Sequence, residues 1–392
     1  MRSHDMSFFL ASFFLASLAK SKAACFLDAI AESALKDLVN LEKGESYPIG
    51  LWIVADYSAA HLTSRVVQIM IQEKLGYKVA LKGPGGLSQD ALFALSGCTT
   101  PKDANDRGCG SATTYAHVSV EVWTAGYLDA LKWIQEQYPQ MAPKNLGNIG
   151  YDGESGLFVP SAVQSKAYEA EGINLDFYRD YNVSWHMPGR YFTNPDDLDV
   201  STLLPCISTS LMTPETMKTY LDLTGDLEGV EIRESSAAGA AGAVIGRCFD
   251  NYFWYSPACR SEPSACVSCL TGGTGWAVHE IMGKATAHNM PVAIAVASSF
   301  QNYANVPKSL DLMLYWWVPD PTFLRLKPVQ ITFPRYDPDG IAKGDLSSAA
   351  TAVSIDKYVS QDLSLLAPDV VELLDRLTLT LKNLDEMMLD QD

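Results

Sequence analysis

The chain has 392 residues, 47% of them hydrophobic and 19% charged, with a formal net charge of −17. That length exceeds one ordinary core and implies two domains or one two-lobed unit, and the composition excludes a disordered chain. The acidic balance, with no cluster of Lys and Arg, excludes nucleic acid as a partner, because such a binder needs a basic stripe.

Residues 1–24 open with Arg2, run through SFFLASFFLASLA and end in small residues, the pattern of a cleaved signal peptide. The apolar run is too short to span a bilayer. A secreted or periplasmic location follows. A lipidated Cys25 is the weaker alternative, because Lys22 stands where an apolar residue belongs. Eight cysteines behind such a leader imply disulfides. Cys98 and Cys109 flank a polar loop and are expected to pair. CRSEPSACVSC, 259–269, reads as a stapled loop. The rival there is zinc, since Cys266 and Cys269 have C-x-x-C spacing, but no histidine is close. Asn182-Val183-Ser184 is a glycosylation sequon if the secretory route is eukaryotic.

PIGLWIVA, 48–55, predicts a buried strand. Leu62, Val66, Ile69 and Met70 recur at helical spacing behind a cap at Asp56 or Ser58, and Gly76 ends that helix. YKVALKG predicts the next strand, so this is a parallel β-α-β unit. AHVSVEVW, 116–123, alternates as a strand, and AGYLDALKWIQEQY is a helix stopped by Pro139. NIGYDGESGLFVP, 148–160, predicts Gly-rich turns with a short strand at the end. TGGTGWAVHEIMGKATAH, 271–288, predicts a Gly-rich turn leading into a helix. PVAIAVASSF and LMLYWWVP predict strands. The segment from Ile355 onward, IDKYVSQDLSLLAPDVVELLDRL and beyond, reads as mostly helical.

Several catalytic patterns fail. HEIMG at 279–283 has Gly283 where a zinc protease needs its second His. GESG at 153–156 holds its serine one place late for a nucleophile elbow. The six histidines show no ligand spacing. The chain is therefore expected not to be an enzyme, and to use no cofactor or metal. Aromatic residues remain. Trp123, Phe158, Trp276 and the pair Trp316-Trp317 each sit where a strand or helix meets a loop. In open α/β sheets ligands bind at strand ends, and aromatic faces hold a cation there through the ring quadrupole. The competing reading is that such a residue is core or rim. Pleat alternation sends only one of Trp316 and Trp317 to a given face.

At these residues the sequence resembles the substrate-binding proteins of glycine betaine, proline betaine and choline ABC uptake systems. AAHLTSRVVQIMIQEKLGYKV, HVSVEVWTAGY, GNIGYDGESGLFVPSAV, YWWVPDPTF and the C-terminal SQDLSLLAPDVVELLDRLTLTLKNLDEMM match that family's blocks in collinear order. The resemblance implies a two-lobed α/β clamp of the type II periplasmic-binding-protein class. One lobe would hold 44–142 plus 353–392 and the other 143–352, with the ligand in the cleft. It implies Trp123 and Trp317 as cage walls, with Phe158, Tyr57 or Trp276 beside them. By its spacing Glu121, two residues before Trp123, would point the same way as that ring or serve a structural ion pair, and Asp320 would add negative charge or cap a turn. Asp320 stands where the family's block has His, and Val54 falls near a place where the family often has Trp. Backbone N–H groups at Tyr57-Ser58-Ala59 or Gly273-Thr274-Gly275 would hold a carboxylate. The implied ligand is a small molecule with a methylated cationic head, such as glycine betaine or choline. The implied partner is an ABC transporter's membrane component. The stretch 180–305, rich in cysteine, is longer than a bacterial member needs. Two rivals stand beside this reading: an enzyme on the same scaffold, and a secreted interaction protein that has lost its ligand.

Overall fold

The computed structural model describes residues 24–40, 43–54, 58–103, 106–110, 114–182, 184–209, 214–233, 242–272, 278–320, 324 and 326–389. The signal-peptide pattern before Ala24 lies outside them, as do Tyr57, the Gly273-Thr274-Gly275 turn and Trp276. No helix among the described residues is long and apolar enough to cross a membrane.

Strands β1 (Leu38–Val39) and β2 (Ser46–Tyr47) form a small antiparallel pair. Next comes β3 (Ile49–Val54), every residue of it buried. Helix α1 (Ser58–Leu75) crosses to β4 (Val79–Gly86), which pairs with β3 in parallel, as the apolar runs predict. The buried side of α1 is Ala59, Ala60, Thr63, Ser64, Val67 and Ile71, while Leu62, Val66, Ile69 and Met70 are half-buried. Small residues let this helix lie close on the sheet, so its seat was not where the larger side chains point. Helix α2 (Ser88–Leu95), β5 (Val118–Trp123) and α3 (Leu128–Gln137) complete this part.

The stretch expected to be turns is instead one strand of 16 residues, β6 (Lys144–Val159). Two of its glycines serve close approach. A Cβ on Gly153 would fall 2.4 Å from ring atoms of Trp123, and one on Gly150 would fall 2.3 Å from the Leu379 carbonyl oxygen. Glycine inside a strand marks such contacts as well as turns.

Helix α4 (Ser161–Glu171) leads into α5 (Pro214–Thr224), the hairpin β7 (Val230–Arg233) with β8 (Ala243–Gly246), and β9 (Trp254–Tyr255). Then follow β10 (Val267–Thr271), α6 (Val278–Ala287), β11 (Val292–Val296), α7 (Phe300–Asn305) and β12 (Met313–Val318). Strand β13 (Val329–Gln330) pairs with β6. IDKYV is a strand and not a helix. It lies within β14 (Val353–Val359), antiparallel to both β5 and β6. Helices Pro368–Arg376 and Leu381–Leu389 close the described chain.

The main sheet has ten strands in the order β4-β3-β5-β14-β6-β12-β10-β11-β9, with β13 on β6. Strand β6 belongs to both halves. Residues 144–153 pair with β14, and residues 154–159 pair with β12 and β13. Each half is covered on both faces by its own apolar clusters. Val67, Ile71, Val120 and Ile355 belong to one in the first half, and Val163, Met217, Ile281 and Ile294 to one in the second.

Disulfides join Cys98–Cys109, Cys206–Cys248 and Cys259–Cys266. Cys269 is a buried free thiol and Cys25 an exposed one, so the C-x-x-C spacing is not used as a pair. Among the described residues no group of three or more His, Cys, Asp or Glu is placed to hold a metal.

Candidate functional site

The parallel strands of both halves point their C-terminal ends at the middle of β6. Trp123, the last residue of β5, pairs with Ile355 on β14, and Val353 of β14 pairs with Gly153. From the other half, Trp317 pairs with Ser155 and Val318 with Glu154. Gly153 and Ser155 share one face of β6, about 7 Å apart along the strand. The Trp123 ring fills the place of a Gly153 side chain. Trp123 and Trp317, both half-buried, pack against the same cluster, which includes Leu51, Tyr151 and Ile355.

Alternation would send Trp316 and Trp317 to opposite faces, yet their ring centroids lie 5.6 Å apart at an interplanar angle of 15°. Tyr303 of α7 gathers them. Its ring stacks on Trp316 at 4.2 Å and 15°, and lies parallel to Trp317 at 6.3 Å and 2°. Trp316 is 1% exposed and Tyr303 fully buried, so Trp317 is the member with a surface to offer. Trp317, the penultimate residue of β12, touches the apolar clusters of both halves. Nothing in the apolar pattern around QNYAN pointed to Tyr303.

Glu121 is turned to the same side by a bulge. Between the pairs Asp356↔Val122 and Tyr358↔Ser119, strand β5 has two residues and β14 only one. Bulges re-aim side chains in this way. The Glu121 carboxylate is 1% exposed, and its Oε2 accepts from the Thr63 hydroxyl at 2.9 Å and the Tyr151 hydroxyl at 3.2 Å. Burial first, then Glu121, pushes the Tyr151 phenol far above its ordinary value, so it stays a donor. Asp320, two residues past the end of β12, is 2% exposed. Burial, followed by Cys269, Asp320 and Tyr315, holds the Tyr303 phenol well above its ordinary value.

The remaining expected residues divide. Phe158 is not beside Trp123. It lies on the opposite face of β6, 2% exposed, in the cluster of Leu270, Leu314 and Trp316. Its position three residues past Ser155 reverses its direction on the pleat. Trp52, two residues before Val54, is 1% exposed and sealed among Leu92, Leu95 and Val122. Ser58 is the first residue of α1. The junction thus joins two indoles and two buried carboxylates, a combination that attracts positive charge.

No family model and no curated protein sequence matches the chain. Among solved structures it is similar to lactococcal OpuAC in its closed-liganded conformation with glycine betaine, at TM-score 0.39 and 12% identity, covering 87% of this chain and 88% of that one. It is similar to the glycine betaine/L-proline-binding ProX of Borrelia burgdorferi at TM-score 0.41 and 11% identity, covering 88% and 86%. A third is an ABC-transporter choline-binding protein in complex with choline, at TM-score 0.43 and 11% identity, covering 87% and 81%.

Proposed function

We propose that this chain is an extracytoplasmic solute-binding protein for a methylated cation or zwitterion, such as glycine betaine or choline, delivered to an ABC-type transporter. We read it as a binding protein and not an enzyme. The observation that carries this is the convergence of Trp123 and Trp317 on Gly153 and Ser155, from opposite halves of the sheet. A quaternary ammonium group suits such a place because it has no N–H to satisfy, and each ring face contributes roughly 0.5–2 kcal/mol. Glu121 and Asp320 add long-range attraction from positions where they are already held. The N-terminus of α1 at Ser58 is the place for a zwitterion's carboxylate.

The two halves act as lobes, 44–142 with 353–392 and 143–352, hinged where β6 and β14 pass between them. Closing them buries the ligand, as in other hinge-bending binding proteins. Calorimetry of the chain lacking residues 1–24 tests the reading, against glycine betaine, choline, carnitine, dimethylsulfoniopropionate, sugars and inorganic phosphate. Saturable heat from a methylated ammonium or sulfonium compound is expected. Heat from sugars or phosphate alone rejects it, and turnover of choline or a betaine favours the enzyme alternative.

A further inference from the structure

At the other end of β3 and β5, where these strands begin, lies a cavity of about 650 Å³ whose lining includes Tyr47, Gly50, Lys82, Tyr115 and His117. Its floor needs glycine. A Cβ on Gly50 would fall 3.0 Å from the Tyr115 carbonyl oxygen and 3.3 Å from His117 Nδ1. The Gly50 N–H donates to Nδ1 at 2.8 Å. An Nδ1 that accepts leaves the hydrogen of the neutral ring on Nε2. His117 is 2% exposed, and Nε2 meets no hydrogen-bond partner among the described residues. A buried donor left this way is costly and asks for an acceptor.

The surroundings state what kind. The Tyr47 ring lies nearly parallel to the imidazole, at 5.5 Å and 13°. The Lys82 ammonium sits 5.2 Å from the centre of the Tyr115 ring. One cation and two phenol rings therefore line the cavity, and the buried Nε2 donor belongs to a residue of its wall. Negative charge is also near. Asp362 is occupied by the hydroxyls of Thr114 at 2.9 Å and Ser360 at 2.5 Å, and Glu45 is exposed at the rim. These acids, on a chain of net charge −17, oppose a multiply charged anion.

We propose that this cavity is a second ligand site, which takes a small monocarboxylate with a flat apolar body. The carboxylate meets His117 Nε2 and Lys82, and the body lies against Tyr47 and Tyr115. The site stands independently of the cation reading at the junction.

Calorimetry with benzoate, acetate and inorganic phosphate on the full mature chain tests it. Benzoate binds saturably, acetate more weakly and phosphate not at all. His117→Asn keeps an oxygen where Nδ1 accepts from Gly50 but removes the Nε2 donor. Lys82→Gln removes the charge. Each weakens benzoate by about tenfold or more, the size of a lost charge-assisted hydrogen bond. Lys82→Gln alone carries the test if His117→Asn does not fold. Absence of saturable benzoate heat overturns the proposal. So does benzoate affinity unchanged in a folded His117→Asn or in Lys82→Gln, and so does phosphate binding more tightly than benzoate.

Discussion

Strand β5 begins just after His117 and ends at Trp123, and the surroundings of the two residues differ in kind. At the end, two half-buried indoles lie with the carboxylates of Glu121 and Asp320 close by. At the start, an imidazole fixed by the Gly50 N–H lies with the Lys82 ammonium and two phenol rings. Aromatic area is common to both, so aromatic content alone does not set the sign of a ligand. The group placed beside the rings does. Strands that run toward the junction from opposite directions in the two halves bring the acidic, indole-rich end there and leave the other end at the outer rim.

The comparison can be broken most severely at Trp316. It is 1% exposed and stacked on Tyr303, so Trp316→Ala opens a large cavity. Chemical denaturation should show a loss of about 3–5 kcal/mol, with cation binding lost only as far as the fold is lost. Gly153→Val is next. Its side chain would overlap the Trp123 ring, whose atoms lie 2.4 Å from the Cβ position. A loss of about 1–3 kcal/mol is expected, together with weaker binding of methylated cations, because the ring must leave its seat. Benzoate binding at the far end of β5 should survive in every folded variant of this kind. Trp317→Ala sharpens the contrast with its neighbour. Stability should change less than in Trp316→Ala, while affinity for the methylated cation falls about tenfold, one or two ring contacts' worth.

The smallest effect concerns pH. Burial lowers the His117 pKa below its ordinary 6.5, Lys82 adds to that, and Asp362 opposes it. Tyr47, which stacks on the ring, is held protonated by its own raised pKa. The folded chain therefore prefers neutral His117. Its contribution to stability is full above the unfolded value of 6.5 and is lost as pH falls from there through the lower folded value. Denaturation curves between neutral and mildly acid pH should show this slope in the parent chain, and His117→Asn should remove it.

Much of the fold was legible where side chains mark their own burial. PIGLWIVA, AHVSVEVW and LMLYWWVP became β3, β5 and β12 because apolar runs of that length have few other seats. Strand β6 reads differently from its sequence because Gly153 and Gly150 admit a ring and a backbone from elsewhere in the chain, information no local window contains. The IDKYV strand was misread because its lysine is buried. Lys357 is 2% exposed, its ammonium bonded to the Leu377 carbonyl at 2.7 Å, so it fills an apolar position on the pleat. Trp123 and Trp317 were legible as strand-end aromatics, whereas Tyr303 and the bulge that turns Glu121 depend on tertiary register. Phe158 shows the limit of reading strand ends without phase, since its direction follows from counting along the whole of β6.

The central claim is that a methylated cation sits between indole faces at the junction. The most direct measurement is the proton NMR spectrum of bound choline or glycine betaine. Methyl resonances enclosed by Trp123 and Trp317 should move upfield through the ring currents, and the shift should shrink in Trp123→Ala and again in Trp317→Ala. Methyl resonances at their free positions in the saturated complex, or a shift that neither substitution alters, would contradict the account.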